Sequence, residues 1–157
     1  MVLRIILVGA MLGLATGLGA AAADDAFIGT WKQNLAKSKI VRGEPQRTRI
    51  LVLTPYGANG WTRVVLDEND KGEWREEHFF AAFDGKDYPT LGGDPRVVLM
   101  KRVDGNTVEQ TFKRNGKATA QSRLVVSKDG KTLTQTGSGV SGNGQRYEND
   151  LRVYDRQ

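Results

Sequence analysis

Gly29-Thr30-Trp31-Lys32 opens the first run of this chain that reads as a β-strand, and Leu151-Arg152-Val153-Tyr154-Asp155 closes the last one. A glycine, a β-former and a large aromatic begin the one; apolar and polar residues alternate in the other. In a barrel the first and last strands must pair, because closure is what removes the exposed edges of a sheet. On that reading Trp31 and Arg152 meet at the seam. A guanidinium lying over an indole contributes roughly 0.5–2 kcal/mol.

Between these two runs the chain breaks into short β-rich segments bounded by turn residues, the pattern of a sandwich or barrel. Strands are expected near 47–54, 60–67, 73–83, 97–103, 107–113, 117–126, 131–137 and 146–155, with 29–34 before them and a short extended piece at 86–89. The turns are Pro55-Tyr56-Gly57, Asn69-Asp70-Lys71-Gly72, Asp84-Gly85, Asp104-Gly105-Asn106, Asn115-Gly116 and Asp129-Gly130. Asn-Gly and Asp-Gly tolerate the positive φ angles that tight hairpins need. Sequential hairpins make an up-and-down meander, and no crossover helix has room to fit. The expected fold is therefore all-β, an antiparallel barrel of about eight to ten strands.

Two stretches test this pattern. Lys71 to Phe83 would also make a passable helix, but its aromatics do not recur cleanly at helical spacing and the Asp84-Gly85 turn follows at once, so it reads as a strand entering a hairpin. Gly137-Ser138-Gly139-Val140-Ser141-Gly142-Asn143-Gly144 superficially resembles a phosphate loop. No lysine followed by serine or threonine comes after it and no helix opens there, so it reads as a flexible hairpin loop between the last two strands.

At the N-terminus a single positive charge, Arg4, precedes an uncharged apolar run from Ile5 to Leu18, and Ala21-Ala22-Ala23 fits a small-residue cleavage site. Residues 1–23 are thus read as a secretory signal peptide, and 24–157 as one domain in the periplasm or outside the cell, with no membrane span left after cleavage. That domain keeps 134 of the 157 residues, enough chain for one core. Of the 23 lysines and arginines only Arg4 falls in the leader, and 18 acids remain, so the formal charge of the mature chain is +4. Such a mild, dispersed excess favours anionic partners only weakly, and no basic run interleaved with aromatics marks nucleic-acid binding. The chain has no cysteine, which excludes disulfides and a cysteine-linked lipid anchor.

Few residues offer chemistry. His78 is the single histidine, so neither a histidine-rich metal cluster nor a histidine-dependent triad can be assembled, and no metal is expected. Of the neighbouring acids only Glu73 with Glu77, or Glu76 with His78, share a strand face. No enzyme and no cofactor is read from this set. Several strands, among them Ile50-Leu51-Val52-Leu53 and Val97-Val98-Leu99-Met100, are apolar on both faces. Either a loop or partner covers them, or the protein forms a homodimer, or they are the ordinary apolar share of a protein surface.

The opening Gly29-Thr30-Trp31-Lys32 resembles the first-strand signature of the calycins, the lipocalins and intracellular fatty-acid-binding proteins. The layout around it is also similar to that of a group of bacterial secreted lipocalin-like proteins, through Phe83-Asp84-Gly85-Lys86-Asp87-Tyr88-Pro89, Val126 to Thr134 and Arg152-Val153-Tyr154. The resemblance spans the mature chain. It implies that Trp31 plugs one end of the barrel beneath a late-strand arginine, Arg152. It also implies that Arg123, Arg152 and Tyr154 lie where the fatty-acid-binding proteins hold a ligand carboxylate. An arginine fork and a phenol suit that task. The connection from Leu35 to Gln46 is too short for the helical lid of that family and reads as a loop with one helical turn.

Strand parity points the other way for two of these residues. Leu151 and Val153 share one face of the last strand; Arg152 and Tyr154 share the other with Asp150. If the apolar face is the inner one, Arg152 and Tyr154 look to solvent or pack over the barrel end onto Trp31. Two functions follow. One is an extracytoplasmic binding protein whose lumen holds a small amphipathic or hydrophobic molecule such as a fatty acid; the other is a filled barrel that acts as an interaction module. The aromatics Trp31, Trp61, Trp74, Phe79, Phe80, Phe83 and Phe112 either line a pocket or fill it.

Overall fold

In a computed structural model, residues 25–43, 46–93 and 95–157 are described, and the expected signal peptide at 1–23 lies outside them. The described chain is a closed antiparallel barrel of ten strands. In order these are β1 (Gly29–Gln33), β2 (Gln46–Pro55), β3 (Gly60–Asn69), β4 (Trp74–Ala82), β5 (Tyr88–Leu91), β6 (Val97–Asp104), β7 (Thr107–Arg114), β8 (Lys117–Val126), β9 (Thr132–Val140) and β10 (Arg146–Arg156). Each pairs with its neighbour in sequence, and β1 closes the ring by pairing with both β2 and β10. A single 3-10 turn, Leu35–Lys37, is the one helical turn of the 34–45 connection among the described residues. No helix among them is long and apolar enough to cross a membrane, which leaves strands untested.

The expected hairpins hold, including the ambiguous stretch at 74–82, which pairs as a strand with β3 from Trp74 to Ala82. Asn115 adopts φ 50°, the left-handed conformation a two-residue β7–β8 turn demands. One expectation fails. The glycine-rich run after Gly137 is strand as far as Val140, not loop: Gly137 pairs with Ser122 and Asp150, and Gly139 with Ala120 and Tyr147. A Cβ on Gly139 would run into the Thr119 carbonyl oxygen, so glycine there reports a close approach of two backbones.

Alternation along the strands divides the barrel. Toward the end where β1 begins, inward residues are apolar: Leu51 and Leu53 on β2, Trp61 on β3, Phe79 and Ala81 on β4, Val98 and Met100 on β6, Leu124 and Val126 on β8, all buried. The segment before β1 plugs this end. Phe27 packs on Trp61 with ring centroids 4.7 Å apart, and Asp25 accepts the Trp61 indole N–H at 2.9 Å. Arg102 pairs with the same Asp25 carboxylate and lies 4.3 Å above the Phe83 ring.

Trp31 is fully buried, its indole N–H donating to the Phe27 carbonyl at 2.8 Å. The cation across it is Arg156, 4.1 Å from the ring centroid, and not Arg152. Trp31 pairs directly with Arg156 across the seam, which sets Arg152 four residues, about 13 Å, further up β10. Arg156 also donates to the carbonyls of Ala26, Ile28 (2.7 Å) and Gly130 (2.6 Å), tying the plug to the barrel wall. Gly29 permits this. A Cβ there would meet Arg156 Nη1 at 2.7 Å, and its φ of 140° suits few other residues.

Candidate functional site

Above the apolar core the same strands turn charged on their inner face. Two residues beyond Leu51, β2 carries Arg49; two beyond Trp61, β3 carries Arg63, then Val65 and Asp67; two before Phe79, β4 carries Glu77. These groups, with Arg42, Arg96, Gln135, Tyr147 and Arg152, line a cavity of about 640 Å³ that opens between the β3–β4 turn and Gly92-Gly93. The volume lies within the usual range of small-molecule pockets, roughly 300–1,000 Å³.

Each carboxylate in the cavity wall is already engaged. Asp67 takes both arms of Arg49, at 2.5 and 2.6 Å, a bidentate pair. Glu77 accepts from Arg96 at 2.5 Å and has Arg63 at 3.8 Å. Asp150 accepts from Arg152 Nε at 3.0 Å and from the Val41 backbone N–H at 3.0 Å, with Arg42 Nε at 3.5 Å. With Glu73, Glu76 and Arg75 at the rim, six guanidinium groups and five carboxylates surround the cavity.

The arginines do not share this environment equally. Burial opposes the charge on Arg49, but the hydrogen bond to Asp67 and the proximity of Tyr154 outweigh it and raise its pKa. For Arg63 burial wins: Glu77 and Tyr154 favour the charge, Arg49 and Arg96 oppose it, and its pKa is lowered. Burial, with Arg49 nearby, likewise lowers Arg152 against the pull of Tyr154 and Asp150. Arg63 is 4% exposed, and its Nε donates to no protein atom; Nε of Arg96 and of Arg42 are in the same condition. Unsatisfied buried donors are costly and uncommon.

The three residues picked from sequence are split. Arg152 and Tyr154 are buried and face inward, which overturns the expectation that Leu151 and Val153 make the inner face. Arg152 also donates to Gln46 at 3.0 Å, and the Tyr154 hydroxyl donates to Gln135 at 3.4 Å. The parity argument failed because the inner face at this height is polar on most strands. A bulge between Tyr147 and Asp150, with Asn149 at φ 58°, resets which residues of β10 point inward. Arg123 is not in the lumen. It lies on the outer wall, with its side chain 48% exposed and paired to Glu109 at 2.7 Å, beside a separate polar depression.

Sequence reasoning missed Arg49, Arg63 and Arg96. For Arg49 and Arg63 the signal was present but unused, a cation two residues from a buried apolar side chain on the inward register of its strand; Arg96 precedes β6 and had no such register. His78 lies on the outer wall, 3.1 Å from Glu76, with which it shares a strand face. Among the described residues no three His, Cys, Asp or Glu side chains come together as a metal site. No family model matches the chain, and no curated protein matches it in sequence.

Proposed function

We propose that this is an extracytoplasmic binding protein of calycin type, which holds a small amphipathic molecule in the open half of its barrel. The observation that carries the reading is the lumenal cavity of about 640 Å³, whose wall includes Arg49, Arg63, Arg96 and Arg152. A barrel built only for stability gains little from buried guanidinium groups, since each costs desolvation. An occupied lumen offsets that cost. The plugged, apolar lower half leaves the ligand the upper half alone, so the reading favours a compact molecule with a charged head over a long-chain fatty acid. Phe112, Val65 and Ala120 give it a limited apolar wall. Secretion in this reading rests on residues 1–23, and no catalytic step belongs to it.

The test is native mass spectrometry of the protein isolated from its own cells, with solvent extraction of what it carries. A stoichiometric small molecule is expected, retained by Arg123→Ala and lost from Arg152→Ala. A bare polypeptide that also fails to bind any added small molecule would leave the interaction-module reading, for which the exposed outer residues Phe80 and Leu91 are the starting point.

A further inference from the structure

The outer wall of the barrel is not uniform. On β7, β8 and β9 its outward residues are polar, Glu109, Thr111, Gln121, Arg123, Thr136 and Ser138, and they border the separate depression. On β2, β3 and β4 they are largely apolar, and the register sets them side by side. Val52 pairs with Val64, Val64 with His78 and His78 with Leu91; one step along, Ile50 pairs with Leu66 and Leu66 with Glu76. Tyr56 and Phe80 extend this face, their ring centroids 5.9 Å apart. Trp74 is 55% exposed, whereas Trp31 and Trp61 are fully buried. Single exposed apolar residues need no explanation, but a contiguous set of them marks a contact surface.

We propose that the β2–β4 wall is a dimer interface, on which a second copy of this chain packs face to face with its strands antiparallel to those of the first. Such a dimer requires no ligand in the lumen.

The occupant follows from the order of residues along β4. Its outward side chains are Trp74, Glu76, His78 and Phe80: aromatic, acid, base, aromatic. A two-fold axis that lies in the interface, across the strands and between Glu76 and His78, reverses this order. Each Trp74 then faces the partner's Phe80 and each Glu76 the partner's His78, so aromatics meet aromatics and an acceptor meets a donor. The same axis sets Val64 against the partner's Leu66 and Val52 against the partner's Ile50, because these residues lie level with His78 and Glu76 in the ladder. A two-fold interface needs a patch complementary to itself, and this arrangement supplies one on all three strands. Sheets packed with their strands nearly aligned are also a common pairing. A bilayer suits the wall less well, since the outward residues of β3 and β4 include no lysine or arginine to meet anionic headgroups.

The face is small. Four strands spaced about 4.8 Å apart, over the length from Trp74 to Phe80 at about 3.3 Å per residue, project to roughly 300 Å², well under the about 800 Å² per partner of a stable complex. The dimer is therefore expected to be weak, with a dissociation constant on the order of micromolar or above.

The experiment is sedimentation velocity of the mature chain from micromolar to millimolar concentration, where a reversible monomer–dimer equilibrium is expected. Val64→Lys and Phe80→Ser should each weaken the dimer about tenfold or more, while Arg123→Glu on the polar wall leaves it unchanged. His78→Glu sets carboxylates against carboxylates and should weaken it as well; Glu76→His combined with His78→Glu restores base against acid and should recover it. Near-ultraviolet circular dichroism checks that each variant is folded. A chain that is monomeric at every concentration overturns the proposal, and a dimer indifferent to both Val64→Lys and Phe80→Ser does so by placing the contact on another face. If the doubly swapped chain dimerises no better than His78→Glu, the antiparallel two-fold is wrong. A monomer that sediments with anionic vesicles, and loses them on Phe80→Ser, would make the wall a membrane-facing surface instead.

Discussion

The plugged end of the barrel and its open half are walled by the same strands and differ in what those strands point inward. Along β2 the inner face runs Leu53, Leu51, Arg49; along β3 Trp61, Arg63, Val65, Asp67; along β10 Tyr154, Arg152, Asp150. The change comes within two residues on β2 and β10, while on β3 Val65 stands between Arg63 and Asp67 and Arg63 pairs with Leu53, so the boundary is staggered around the barrel. On its apolar side, area removed from water supplies the stability, roughly 1.5–3 kcal/mol for each large side chain fully buried. On the other, buried charges hold one another and line a cavity, and stability there depends on pairing more than on packing.

The largest effect that would break this division is at the plug. Trp61 is fully buried, packs on Phe27 and Phe83, and donates to Asp25. Trp61→Ala is expected to lose about 3–5 kcal/mol in urea unfolding, from lost transfer energy and the cavity left behind. A loss near 1 kcal/mol would mean that the plug collapses around the gap and is not the stable half.

The next effect belongs to the upper half and comes from a carboxylate. Asp150 is 3% exposed and holds Arg152, also 3% exposed by its side chain, along with the Val41 N–H. Asp150→Asn keeps the shape and removes the charge, which leaves Arg152 buried without its ion-pair partner. About 3 kcal/mol should be lost, since breaking a buried pair costs far more than the intact pair contributes. Asp150→Asn together with Arg152→Met should recover much of it. If the double variant is no better than the single, the pair is not an energetic unit and the upper half is held by something else.

The division explains what the residues alone could and could not tell. Strand positions and the meander were legible because Asn-Gly and Asp-Gly turns and β-rich runs are local signals. Closure was legible because strands at both chain ends had to find partners. The arginine over Trp31 was assigned wrongly. Arg152 and Arg156 have the same parity on β10, and only the register Trp31 to Arg156 chooses between them. The inner face of β10 was misread for a deeper reason. The rule that apolar residues face inward holds in the plugged half and weakens in the open half, where Val65 and Phe112 share the lumen with arginines, and nothing within one strand says at which height the lumen stops being core. Arg49 and Arg63 become conspicuous once β2 and β3 are in register, because Leu51 pairs with Val65 and Leu53 with Arg63.

The smallest expected change in stability is at Arg63, and its sign separates a structural charge from a functional one. The side chain is 5% exposed, its Nε lacks a protein acceptor, and burial depresses its pKa. Its carboxylate, Glu77, keeps Arg96 at 2.5 Å when Arg63 is removed, so no charge is stranded. Arg63→Met, of similar length and free of polar hydrogen, should therefore leave the empty protein unchanged or stabilise it by up to about 1 kcal/mol. The same substitution should abolish the stabilisation that bound ligand adds to the thermal transition. A residue that the empty fold would be no worse without, and the loaded fold needs, is there for binding. If Arg63→Met instead destabilises the empty protein by 2 kcal/mol or more, on the order of a broken buried pair, Arg63 belongs with Asp150 and Arg152 among the groups that hold the upper half together.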